Sequence, residues 1–308
     1  MIETRELAKT YGTFEALKGI DLVVEEGDVF GFLGPNGAGK TTTIRILTTL
    51  LEPTSGTARV AGHDVKEDKQ SIRKVIGYMP DSFGVYRDMT VNEYMHFFAA
   101  AYGIPNAERN TLVDGLLDLT DLTYKKAALI ESLSRGMQQR LGLARTLVHD
   151  PKVLVLDEPA SGLDPRARIE IREILRELRR MGKTILLSSH ILSELQEVCT
   201  RIGILERGVL VAQGRLDEII ASARADHEVE VRTTDDARAA VVLRELPGVL
   251  KAEHDEDRRV VRAHVSEELD LAALTAHLVG RDLGVRGLAS LDPTLEEVFM
   301  TLTKGLVQ

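Results

Sequence analysis

The stretch Gly34-Pro35-Asn36-Gly37-Ala38-Gly39-Lys40-Thr41 constrains this chain more than any other, because it matches G-x-x-x-x-G-K-[ST]. The pattern has a mechanism only between a strand and a helix, and both neighbours fit. Asp28 to Leu33 is a short apolar run that reads as a buried strand, and Thr41 to Leu50 reads as a helix. Gly34, Gly37 and Gly39 lack a Cβ, so the backbone between them can curl around an anion. Its N–H groups and the positive end of the helix then face a phosphate chain. Lys40 adds a point charge for β and γ phosphates, and the Thr41 hydroxyl is a hard oxygen suited to Mg²⁺.

A second stretch supplies the complement. Lys152-Val153-Leu154-Val155-Leu156 reads as a buried strand with two carboxylates, Asp157 and Glu158, at its C-terminal end. Ligands of open α/β sheets bind beyond such strand ends. Asp157 is expected to hold Mg²⁺ through water, and Glu158 to orient and polarise an attacking water.

The rest of the first 220 residues keeps the same rhythm. Val75 to Met79 and Thr184 to Ser188 read as strands. Asn92 to Ala101, Arg109 to Leu119 and Arg166 to Met181 read as helices. Strands alternating with helices imply an α/β domain around a parallel sheet. After residue 222 the order changes to βαββαβ and a last helix from Thr294 to Leu302. The second helix of this region is expected from Glu267 to Val279. Such an order suggests a small α+β module, with a ferredoxin-like arrangement as the candidate. Residues 224 to 308 hold 11 basic and 17 acidic side chains against 39 and 48 in the whole chain of 308, so the acidity is concentrated there. The expected division is therefore 1–222 and 223–308. The net charge of -9 argues against wrapping nucleic acid. No apolar run approaches a membrane span. With the single cysteine, Cys199, and no leader-like start, a reducing cytoplasm is the expected setting.

Four weaker elements follow in order. Leu133-Ser134-Arg135-Gly136-Met137-Gln138-Gln139 precedes an apolar-periodic helix, with Ser134 a good N-cap. Ser161-Gly162-Leu163-Asp164-Pro165 follows the carboxylate pair, His190 follows the strand at Thr184 to Ser188, and Tyr11 precedes Gly12. Taken singly, these are a capping turn, a loop, a hydrogen-bonding histidine and a surface aromatic. Together, over residues 2 to 220, they resemble the nucleotide-binding subunit of ATP-binding cassette (ABC) transporters. Single-cassette subunits that pair with ABC-2-type export permeases are the nearest likeness, and their extensions often end much like Leu295-Glu296-Glu297-Val298-Phe299.

The resemblance implies a P-loop cassette: a RecA-like core with antiparallel β and helical subdomains, the latter at about 85–150. It implies ATP and Mg²⁺ as ligands, with Gly34 to Thr42 as the phosphate loop, so Pro35, Asn36, Ala38 and Thr42 join the cradle. Tyr11 then stacks on adenine. Ser134 and Gly136 contact the γ-phosphate held by an opposite subunit, and Asp164 belongs to the loop linking the two sites of a head-to-tail dimer. Asp157 becomes the magnesium aspartate, Glu158 the catalytic glutamate and His190 the switch histidine. The partners it implies are a separate membrane permease and a second copy or paralogue of the cassette. The subunit would then sit on the inner face of the cell membrane through that permease.

Two positions depart from the family pattern. Asp81 stands where a glutamine senses Mg²⁺ and the attacking water; a carboxylate is an acceptable hard ligand but adds negative charge. In the signature, Arg135 replaces a glycine and Met137 a glutamine, leaving Arg135 either to offset charge or to face solvent. Six of the 13 aromatic residues fall between residues 83 and 102. Phe97 and Phe98 are expected in a helical core, Phe83 and Tyr86 nearer a groove that the resemblance assigns to a permease helix. An ATPase driving export fits this sequence. An ATP-gated regulatory or assembly protein, and a cassette ATPase acting on nucleic acid or the ribosome, are the alternatives.

Overall fold

Runs without polar alternation end in the middle of a sheet. The computed structural model describes residues 1–81, 84, 86, 88–222, 227–266, 269–291 and 295–302. The expectation for Phe83, and the helix starts expected at Glu267 and Thr294, fall outside these residues. The chain divides into two compact units, Met1–Leu216 and Asp217–Gln308.

The first unit opens with strands β1 (Ile2–Tyr11), β2 (Phe14–Ile20), β3 (Val23–Val24) and β4 (Val29–Leu33). Helix α1 (Lys40–Leu47), β5 (Ser55–Val60), β6 (His63–Asp64), α2 (Lys69–Val75) and β7 (Ile76–Met79) follow. Three helices, α3 (Val91–Ala101), α4 (Asn106–Leu119) and α5 (Arg135–Thr146), pack on one another before the chain returns to the sheet. The return runs through β8 (Val153–Asp157), α6 (Pro165–Arg180), β9 (Thr184–Ser189), α7 (Leu192–Val198), β10 (Arg201–Glu206) and β11 (Val209–Arg215).

Two sheets result. One is antiparallel, in the order β2-β1-β5-β6 with β3 also on β1. The other has six strands in the order β11-β10-β4-β9-β8-β7, parallel except for β11. Every residue of β4 and β8 is buried, as strands covered on both faces must be. Phe30, Phe32, Val153 and Leu186 of the parallel sheet share one core with Ile2, Leu7, Leu17 and Val60 of the antiparallel sheet. The helix expected to reach Leu50 stops at Leu47, because Thr49 turns into the left-handed region at φ 62°.

Helix α8 (Leu216–Ser222) stands where the two units join in sequence. The second unit holds β12 (His227–Thr233), α9 (Asp236–Leu243), β13 (Val249–Asp255), β14 (Val260–Val265), α10 (Leu271–Gly280), β15 (Val285–Leu291) and α11 (Leu295–Leu302). Its sheet is antiparallel in the order β13-β14-β12-β15, which is the ferredoxin-like arrangement. Val229, Val231, Ala252, Ala263 and Val265 line one sheet face and form a core with Ala239, Leu243, Leu274 and Leu278 of α9 and α10. Asp235 and Asp270 cap those helices by accepting from the N–H groups of Arg238 and Ala272.

The aromatic cluster differs from expectation at both residues expected in the core. Tyr94 and Met95 fill the core side of α3, Phe98 is half-buried, and Phe97 is 48% exposed rather than in the core. Phe97 instead meets Tyr86 edge-on at 5.8 Å, and Tyr86 is itself 54% exposed.

Candidate active site

The loop after β4 is shaped by contacts that only glycine allows. A Cβ on Gly34 would lie 2.3 Å from the Leu205 carbonyl oxygen. Gly39 sits at φ 113°, where a Cβ would meet Leu17 at 2.7 Å and the Ala16 carbonyl at 2.9 Å. The loop is thereby pressed onto β2 and β10, and α1 starts directly from Gly39. No side chain caps this helix and its first turn holds no acidic residue, so its leading N–H groups suit an anion. Ala38 is buried beneath the loop.

Lys40 is the first residue of α1 and only 6% exposed. Its ammonium donates to the Gly34 carbonyl at 2.5 Å and the Pro35 carbonyl at 3.2 Å, and lies 3.7 Å from Glu158 Oε1. Burial lowers its pKa, while the Glu158 and Asp157 carboxylates act in the opposite sense.

The carboxylates come from the end of β8, as expected of a parallel sheet. Asp157 is buried and accepts from the Ser188 hydroxyl at 2.6 Å; the Thr41 hydroxyl is 3.4 Å from the same Oδ1. Glu158 turns away at φ 52°, a left-handed conformation that costs a non-glycine residue about 1–3 kcal/mol. Its N–H donates to Ser188 Oγ at 3.0 Å, which holds the strained turn. The turn carries Glu158 Oε2 to 2.7 Å from His190 Nδ1. One serine of β9 therefore holds the Asp157 carboxylate and the Glu158 backbone.

These groups surround a cleft of about 420 Å³. Tyr11, Pro35, Asn36, Gly37, Gly39, Lys40, Thr41, Thr42, Asp81, Glu158 and His190 line it, as do Phe14, Ala16 and Ser161. Asp157 stands behind Thr41. Sequence reasoning did not single out Phe14 or Ala16, although Tyr11-Gly12-Thr13-Phe14 has the form of a two-residue hairpin turn. Ser188 was also missed, and as an ordinary strand-end serine it gives no signal. The oxygens available to a cation are the Thr41 hydroxyl and the Asp157 carboxylate, with Asp81 on the cleft wall. This hard set fits Mg²⁺. Among the described residues no three His, Cys, Asp or Glu form a metal cage, and a nucleotide-borne Mg²⁺ needs only one or two protein ligands.

Ser134, Gly136 and Asp164 do not line this cleft. Ser134 caps α5 by accepting from the Met137 N–H at 3.3 Å, and Asp164 caps α6 by accepting from the Ala167 N–H at 3.0 Å. A Cβ on Gly136 would meet that of Ala167 at 2.8 Å, so the two helix starts abut. Arg135 is exposed, and it also lies over Gly162. Its guanidinium occupies the place of a side chain at Gly162, with Cζ 2.7 Å from where that Cβ would stand.

Comparison with known proteins gives two family matches, an ABC transporter domain over residues 17–161 and the C-terminal domain of DrrA1-3-like ATP-binding proteins over residues 214–303. The chain is 36% identical to the daunorubicin resistance ATP-binding protein DrrA3 of Streptomyces coeruleorubidus, over 96% of this chain and 93% of that one. It is 37% identical to the Nod factor export ATP-binding protein I of Paraburkholderia xenovorans, over 89% and 92% respectively. Among solved structures, it is similar to a dimeric ATP-binding cassette in a post-hydrolysis state bound to ADP and phosphate. That match has a TM-score of 0.64 and 26% identity, over 70% of this chain and 99% of that one.

Proposed function

Because the chain belongs to the ATP-binding subunits of ABC transporters, we propose that it hydrolyses Mg·ATP to drive an export permease carried on a separate chain. The observation that carries the reading is the Glu158–His190 pair at 2.7 Å, held in the cleft that the phosphate loop and Lys40 also line. In this reading the loop amides and Lys40 bind the phosphate chain, and Tyr11 takes the base. Thr41 and Asp157 hold Mg²⁺, which supplies charge neutralisation at the β and γ phosphates when bound. Glu158 accepts a hydrogen bond from the attacking water and aligns it with the γ-phosphate. His190 holds the Glu158 carboxylate in place and reaches the γ-phosphate, and Asp81 takes the position of the family's glutamine beside it.

The second half of the site comes from a second subunit. Ser134 and Gly136 lie at a helix start that is away from the cleft of their own chain, and a head-to-tail dimer brings them to the phosphates of the other. Asp164 sits on the adjoining helix start and links the two. The half-buried and exposed rings of Tyr86, Phe97 and Phe98 offer an apolar surface for a permease helix. No helix among the described residues is long and apolar enough to cross a membrane; in this reading the permease carries the attachment to its inner face. DrrA3 and the Nod factor protein are named for drug resistance and export, which supports export as the direction. The second unit serves assembly rather than chemistry.

The test is a pair of variants. Glu158→Gln is expected to bind ATP like the parent and to lose turnover, whereas Lys40→Ala weakens ATP binding itself. Equal loss of ATP affinity in both variants contradicts these roles. The dimer is tested in the complex with permease, where Ser134 far from any phosphate contradicts its assignment.

A further inference from the structure

The hairpin between β1 and β2 leaves two large aromatic side chains in water beside the cleft. Tyr11 is 44% exposed and Phe14 63%. They are direct cross-strand partners, and residues directly opposite in an antiparallel pair project on the same face of the sheet. Both line the cleft, as does Ala16. Ala16 marks where along β2 the glycine loop packs. Its carbonyl oxygen lies against Gly39, 2.9 Å from the position a Cβ would take. Phe14 lies two residues back along the same strand, about 7 Å away at the rise of a β-strand, with the pairing shifting at Ala16 between Thr10↔Glu15 and Lys9↔Leu17. That separation suits a sugar between the phosphate loop and the two rings.

We propose that Phe14 and Tyr11 form a single two-ring platform for the nucleotide base, and that Phe14 is a base-binding residue in its own right. The inference rests on the reading of the Gly34–Thr42 loop as the phosphate site. Tyr11 alone offers limited area. The Lys9 ammonium lies 5.4 Å from its ring centroid, held by the Glu52 carbonyl at 2.7 Å, so one ring face is already in contact with a cation. Phe14 extends the apolar surface away from that cation. It has no hydrogen-bonding group, so what it offers a base is its ring. Stacking of a base on an aromatic side chain is worth about 1–3 kcal/mol by alanine substitution, or roughly 5- to 150-fold in affinity.

The alternative role is packing within the hairpin, where a cross-strand aromatic pair steadies the turn. Calorimetric titration of the full chain with Mg·ATP and with tripolyphosphate separates the two. Phe14→Ala is expected to weaken ATP about tenfold and leave tripolyphosphate unchanged. Phe14→Leu keeps an apolar cross-strand partner but lacks the ring, and is expected to lose nearly as much ATP affinity. Phe14→Trp restores it. ATP affinity equal to the parent in Phe14→Ala overturns the proposal. So does a Phe14→Leu variant that binds like the parent, or equal loss of ATP and tripolyphosphate, since packing then accounts for the residue. A Lys40→Ala arm tests the underlying reading: if both ligands still bind it fully, the phosphate loop is not the site and the platform falls with it.

Discussion

The parallel sheet of the first unit and the antiparallel sheet of the second are built from similarly short strands, but they put their polar groups in different places. In β4 and β8 every position is buried, so polar side chains stand only at strand ends. Because the strands run parallel, their C-terminal ends fall on one side. The phosphate loop after Leu33, Asp157 with Glu158, and His190 after Ser189 therefore collect at a single cleft. In the second unit the strands alternate. Val229, Val231 and Ala263 face the helices, while Glu228, Glu230 and Arg262 take the other face. Those charges neutralise one another in place: Arg262 lies 3.7 Å from Glu228 and 3.8 Å from Asp255, and Arg232 lies 3.2 Å from Glu230. An antiparallel sheet spreads charge over a face, whereas a parallel sheet gathers it at one rim, where it can act on a ligand.

The sharpest way to break this comparison is to remove one carboxylate from each sheet. Glu158→Gln is expected to lower ATP turnover by about 10²–10⁴-fold, the range for losing a positioned proton acceptor. Glu230→Gln is expected to leave turnover unchanged, because its carboxylate pairs with Arg232 at a partly exposed surface. Steady-state phosphate release reads both. A large loss in Glu230→Gln places chemistry in the second unit and ends the distinction.

Stability offers a second contrast. Leu274 of α10 is fully buried in the core of the second unit. Leu274→Ala is expected to cost that unit about 2–5 kcal/mol. Mg·ATP at a hundred times its dissociation constant is expected to stabilise the first unit by about 2.7 kcal/mol. Scanning calorimetry should then show two transitions, the variant lowering one and the nucleotide raising the other. If both perturbations move a single common transition, the units do not unfold separately.

Much of this was legible in the sequence because the informative signals were local. The phosphate loop needs its glycines within eight residues, and continuous apolar runs ending in Gly34 or Asp157 announce buried strands. The order βαββαβ was likewise readable from periodicity, and the sheet order of the second unit follows from it. The unread part is long-range. Ser188 holds the Asp157 carboxylate and the Glu158 backbone, yet it is 31 residues from Asp157 and looks like any strand-end serine. Phe97 was expected inside because the sequence marks an aromatic cluster but not which side of α3 faces the core. Arg135 is 27 residues from Gly162, and nothing in either local pattern shows that one seats on the other.

Two left-handed glycines sharpen the comparison at a smaller scale. Gly162 has φ 68° and carries the Arg135 guanidinium; Gly248 has φ 93° and lies against Ser266 and Leu269. Alanine at either position meets unfavourable backbone angles costing about 1–2 kcal/mol. Only Gly162→Ala also displaces a side chain beside Ser134. Turnover is expected to fall several-fold in Gly162→Ala with ATP affinity retained, and to stay unchanged in Gly248→Ala. Arg135→Gly should lower turnover less, and its combination with Gly162→Ala should be less than additive, because both remove one contact. Simple additivity shows that the contact carries no coupling.

The smallest effect concerns acid. His149 stacks on Tyr102 with ring centroids 4.2 Å apart and planes 13° from parallel, and its Nε2 lies 2.9 Å from the Ile76 carbonyl. Nε2 must therefore carry the proton, and Nδ1 is buried with no hydrogen-bond partner among the described residues. Burial is the main cause that holds this histidine's pKa below the usual 6.5; the Ile76 carbonyl and Asp150 oppose it. The sign follows directly. As pH falls through 6.5 the unfolded chain takes up a proton that the folded first unit resists, so stability declines with acid until the lowered folded pKa is passed. The slope cannot exceed that of one proton. His149→Gln keeps a donor for the Ile76 carbonyl without a titrating ring, so the first unit's midpoint is expected to change less between pH 7 and pH 5.5, measured by calorimetry. The second unit's midpoint should be indifferent to the substitution. An equally steep acid decline in His149→Gln assigns the sensitivity to other groups.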